Sequence, residues 1–89
     1  MELPNGNVIF DKLKVGDLIN IDMDCFMLGD AQCVVSITND EIQCELYHMG
    51  VRFPCKSYDA LIKKKNIENW WTRGETLKQW QTRLYKKQK

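Results

Sequence analysis

At 89 residues, with 44% hydrophobic and 28% charged side chains, the chain has the make-up of one small folded domain and not of a disordered tail. No apolar run approaches the roughly 20 residues of a membrane span, and Met-Glu-Leu-Pro-Asn-Gly lacks the order of a signal peptide, so a cytoplasmic protein off the membrane is expected. The net charge of +1 hides a division: residues 1–55 carry three basic and nine acidic side chains, residues 56–89 ten and three.

In chain order, residues 1–14 read as an extended lead-in, 15–71 as a β-barrel core and 72–89 as a C-terminal helix, together a single domain. Leu18–Met23 alternates as a first strand with Ile19, Ile21 and Met23 inward. A loop with Asp22, Asp24 and Asp30 follows. Ala31–Thr38 and Glu41–Tyr47 form a hairpin about Asn39-Asp40. In the uniform register Ile37 faces Ile42, Val35 faces Cys44 and Cys33 faces Leu46, which makes one face apolar and leaves Val34 and Glu45 on a wet one. A four-residue turn, Tyr47–Gly50, would lead into Val51–Cys55, a strand that Pro54 ends early or confines to an edge.

Ser57 is placed to cap a short helix with Lys63-Lys64-Lys65 at its end, and Ile67–Trp71 reads as the last strand, on which Trp70 and Trp71 cannot enter the same core. Thr72-Arg-Gly-Glu75 fits a capping box opening a helix with a Leu77, Trp80, Leu84 stripe. The order of elements suggests a small five-stranded antiparallel SH3-like barrel, with a short helix between strands 4 and 5 and a C-terminal α-helix; an open α+β sheet is the alternative.

Chemistry is sparse. Cys25, Cys33, Cys44 and Cys55 contain no CxxC pair, so free thiols and no zinc are expected, three of the four on the inner face. His48 is the sole histidine, expected to be exposed and non-catalytic, with Glu45 or Asp40 the nearest candidate carboxylates. The acidic loop fails the EF-hand pattern because Phe26 and Met27 stand at positions 5 and 6. The glycines are scattered singly, with no phosphate-binding loop. No cofactor and no enzymatic activity are expected.

What remains is the basic, aromatic C-terminal third, a composition suited to phosphate neutralisation and base stacking. The expected function is a binding module that engages an acidic partner, nucleic acid first. Its candidate residues are Lys63, Lys64, Lys65, Arg73, Lys78, Arg83 and Lys86, with Trp70 as a stacking platform. The rival is a protein-binding adaptor or inhibitor acting through a sheet edge or through Asp22, Asp24 and Asp30, and the opposite-charge halves also permit self-association.

Overall fold

The computed structural model describes residues 6–8, 10–21 and 29–86. Seven strands are present among the described residues: β1 (Gly6–Asn7), β2 (Asp17–Asn20), β3 (Asp30–Ile37), β4 (Glu41–His48), β5 (Val51–Arg52), β6 (Leu61–Lys63) and β7 (Trp71–Thr76). Short 3-10 turns span Phe10–Lys12, Lys56–Tyr58 and Lys64–Asn69, and one α-helix, α1, spans Leu77–Tyr85. All pairings are antiparallel, in the order β1-β7-β2-β3-β4-β5, with β6 also on β4. The path has two ends, so the sheet is open and not a closed barrel. Among the described residues no helix is long and apolar enough to cross a membrane.

The hairpin tip is as expected, with Ile37 opposite Ile42, but the uniform register fails one step later. Ser36 pairs with Gln43 and Val34 with Cys44, so Val35 is an extra residue, a β-bulge. One inserted residue reverses the parity of every side chain beyond it. Val35, expected inside, is 36% exposed, while Val34, expected outside, is fully buried. Cys33 moves to the opposite face from Cys44. Cys55 is exposed because β5 stops at Arg52, so the inner face holds Cys44 alone among the described cysteines.

Both faces of the sheet are therefore covered at its centre. On one, Val8, Ile19, Val34, Ile42, Cys44 and Ile62 pack together with Ile67. On the other, which the uniform register left wet, Leu18, Ala31 and Cys33 meet Trp80 of α1, with Leu77 and Leu84 beside it. The helical stripe has the periodicity to bury one face, and the bulge supplies the apolar surface it needs. Trp80 is 2% exposed, and truncating a Trp so placed costs about 3–5 kcal/mol.

Further local expectations are corrected. The β4–β5 turn has two residues, Met49 and Gly50, not four: Tyr47 pairs with Arg52 and His48 with Val51. Both turn residues have positive φ, 51° and 82°, the type I′ geometry whose twist matches the flanking strands. The helix expected from Ser57 is a 3-10 turn followed by β6, whose Ile62 is buried and whose Leu61 and Lys63 face outward. Alternation with period 2 and pairing to Glu41–Gln43 of β4 override the helical spacing there. Thr72 to Glu75 lies within β7, and the capping box is Thr76 with Gln79. The last strand is Trp71–Thr76 and not Ile67–Trp71, because Lys64–Asn69 forms a 3-10 turn; Trp70 and Trp71 do enter different cores, but Trp70 joins Ile67 and α1 covers Trp71, the reverse of the sides that strand alternation from Ile67 predicts.

Candidate nucleic-acid interface

Strand alternation turns Lys63 outward from β6, and a backbone bond from Lys64 N to Asp40 O, 2.8 Å, starts the 3-10 turn beside the β3–β4 hairpin tip. Lys63 is ion-paired with Glu41, and that hydrogen bond holds its ammonium above the ordinary lysine value. Lys64 Nζ lies 4.9 Å from the centre of the Phe10 ring, within reach of a cation–π attraction. Lys65 makes no ion pair among the described residues. The three lysines share a depression of about 680 Å³ with Asp40, Ile67 and Glu68. Its charge is thus mixed, with Lys64 and Lys65 the cations not held by a carboxylate.

The far side of the same turn is a different environment. Ile21, Leu61 and Trp70 form its apolar walls, and Lys63, Asn66 and Asn69 its polar rim, around a cleft of about 270 Å³. Trp70 is half-buried and its backbone is fixed twice: its N donates to Ile67 O, and its carbonyl accepts from Val8 N, each at 3.0 Å. The side chain packs against the Ile67 cluster. Ile21 and Leu61 are 58% and 63% exposed.

The remaining basic candidates do not join this surface. Arg73 on β7 is 12% exposed; its guanidinium lies 5.9 Å from the Trp80 ring centre and its Nε 3.4 Å from Glu75 Oε1. Burial lowers its pKa from the usual arginine value, with the nearby Arg83 adding to the effect. Arg83 donates from Nε and Nη2 to the two oxygens of the same Glu75, both at 3.0 Å. The two arginines and Glu75 thus tie α1 to β7. Lys78 and Lys86 are exposed on or just beyond α1. The far end of this helix is anchored on the β4–β5 turn, where Gln81 Nε2 donates to Gly50 O and Tyr85 Oη to Met49 O, each at 2.7 Å. That turn and the Lys64–Asp40 junction stand at opposite ends of β4, which at eight residues spans about 25 Å. The basic third is divided between two separate surfaces.

No family model, curated protein or solved structure matches this chain. The site is accordingly read from its own chemistry.

Of the acidic candidates, Asp22 and Asp24 lie outside the described residues, as does Cys25. Asp30 on β3 pairs with His48 Nδ1 at 2.6 Å, and its backbone carbonyl accepts from Asn20 Nδ2 at 2.7 Å. The carboxylate beside His48 is thus Asp30 and not Glu45 or Asp40, because the register sets Asp30 opposite His48. The histidine is exposed, as expected. Sequence reading missed Ile21, Leu61, Asn66, Asn69 and Phe10 at the Lys63–Trp70 site. Leu61, Asn66 and Asn69 belong to the same short segment as Lys63 and Trp70, whereas Ile21 and Phe10 reach it from the N-terminal part of the chain only through the fold.

Proposed function

We propose that this chain is a small non-enzymatic binding module that engages nucleic acid through the Lys63–Lys65 turn. The observation that carries the reading is that the 3-10 turn Lys64–Asn69 is flanked by Lys63 and Trp70, with Lys63, Lys64 and Lys65 exposed and Lys63 lining both their shared depression and the cleft that holds Trp70. Phosphate neutralisation needs exposed cations on a backbone track, and sequence-tolerant affinity needs an aromatic platform beside it. Lys78 and Lys86 supply a second, separate positive surface, while Arg73 and Arg83 serve mainly to hold α1.

The open sheet is read in the same proposal as a curled, SH3-like barrel. The chain leaves β6, beside β4, and reaches β7, beside β2, through the six-residue turn and Trp70. That link spans about 15 Å, whereas four strand spacings across a flat sheet come to about 19 Å. Curling the sheet shortens the gap and supports the barrel-like reading.

The test is titration of fluorescent single-stranded oligonucleotides by anisotropy at low and near-physiological salt. Replacing Lys63, Lys64 and Lys65 together by Gln should weaken binding to all sequences and reduce the salt slope by about 2, at about 0.7 per phosphate contact. Unchanged affinity and slope in a folded triple variant would make the lysines a solvated surface only. The adaptor reading has less support, because Asp30 is already engaged by His48.

A further inference from the structure

Resting on the reading above, we infer that the cleft between Trp70, Leu61 and Ile21 receives one unstacked base of a single strand, so that the module selects single-stranded over double-stranded nucleic acid. Three observations converge. First, the cleft of about 270 Å³ has apolar walls and an indole, the combination that accepts the faces of a planar heterocycle. Second, its rim carries Asn66 and Asn69, exposed and with no side-chain hydrogen bond among the described residues, and each amide offers both donors and an acceptor to a base edge. Third, Lys63 stands on the cleft and also on the neighbouring depression with Lys64 and Lys65, so a strand whose base enters the cleft places its flanking phosphates at cations. Asp40 and Glu68 line the lysine depression and are not among the cleft's described lining residues, whereas Glu41 pairs with Lys63, so the flanking phosphates meet chiefly Lys64 and Lys65.

A duplex cannot use this arrangement. Its bases are stacked and paired, and extruding one costs a few kcal/mol that the cleft would have to repay. An intact duplex would meet only the lysines, whereas a single strand meets lysines, indole and amides together. The amides could read a base edge, but stacking is indifferent to base identity, so strand selection should exceed base selection.

The experiment compares wild-type binding to an oligothymidylate, to the same-length abasic sugar–phosphate strand and to a duplex, by anisotropy at one low salt concentration with Trp fluorescence followed in parallel. The oligothymidylate should bind about tenfold tighter than the abasic strand, the worth of one stacked base, and should quench Trp emission. Trp70→Leu, with folding checked by circular dichroism, should erase that difference while retaining the salt dependence supplied by the lysines. Because Trp70 also packs on the core, Leu61→Glu serves as a second variant: at an exposed wall position it should weaken the oligothymidylate more than the abasic strand. Equal wild-type affinity for the base-bearing and abasic strands, with salt-dependent binding intact, would overturn the base pocket and leave the cationic reading standing. Failure of every strand to bind at low salt would overturn both.

Discussion

Moving the hydroxyl from Thr76 or from Thr72 distinguishes the observed start of α1 from the one the sequence pattern suggests. Thr76 Oγ1 accepts from Gln79 N at 3.1 Å, and Gln79 Oε1 accepts from Thr76 N at 2.9 Å, so two backbone donors at the helix entrance depend on this pair. Thr76→Val keeps the β-branched shape and removes only the oxygen. The expected cost is that of losing an N-cap, about 1 kcal/mol within a range of 0.5–2. For a domain of this size that lowers the thermal midpoint by about 4–8 °C per kcal/mol. Thr72→Val is the matched control. Its hydroxyl accepts only an exposed bond from Gly74 N at 3.2 Å, which water replaces, so a loss below about 0.5 kcal/mol is expected. Thermal and urea unfolding followed by circular dichroism would measure both, with Gln79→Ala in a double-mutant cycle to show the coupling. If Thr72→Val costs as much as Thr76→Val, the helix begins where the sequence motif placed it and the assignment of the cap is wrong.

Two further outcomes follow from backbone and thiol environments. Gly50→Ala should destabilise more than Gly16→Ala: both sites have left-handed φ, but a Cβ at Gly50 would lie 3.0 Å from Leu84 Cδ1, whereas nothing lies within 4 Å at Gly16. The conformational cost alone is about 1–2 kcal/mol, and equal thermal midpoints for the two variants would contradict the packing of α1 on the β4–β5 turn. In a Cys25→Ser background, Cys55 alone should react with a thiol reagent in the native state. The Ser57 hydroxyl, 2.9 Å from its sulfur, lowers its pKa from the ordinary value, while burial pushes Cys33 up to about 11 and Cys44 up to about 12. The thiolate is the reactive form, so the pH at which Cys55 reaches half its limiting rate should lie below the usual thiol value and rise in Ser57→Ala. Rapid native labelling of Cys44 near neutral pH would refute the burial.

Much of the architecture is local enough to be read from residue order. The Asn39-Asp40 tip with Ile37 opposite Ile42 and the Leu77–Trp80–Leu84 stripe of α1 each follow from a period of 2 or 3.6 within one short segment. Local patterns fail where two solutions fit the same residues. T-x-x-E at Thr72 and T-x-x-Q at Thr76 are both capping boxes on paper, and pairing of β7 with β2 decides for the second by drawing Thr72 into the ladder. Tyr58–Lys63 likewise reads as helix or strand until the free edge of β4 claims Leu61–Lys63.

Composition and spacing by themselves determined a β-rich chain with one amphipathic terminal helix and an uneven charge, because these properties need no distant partner. Only the tertiary structure decided which face each strand residue occupies. A single bulge at Val35 carries no distinct local signature, yet it transfers Cys33 to the helix-covered face and brings Val34 into the other core. It also decided the division of the basic residues: Arg73 and Arg83 are committed to Glu75, whereas Lys63 meets Trp70, Leu61 and Ile21 at one cleft. Residues 61–70 supply most of that cleft, and Ile21 joins it only once backbone hydrogen bonding has fixed how the strands lie against one another.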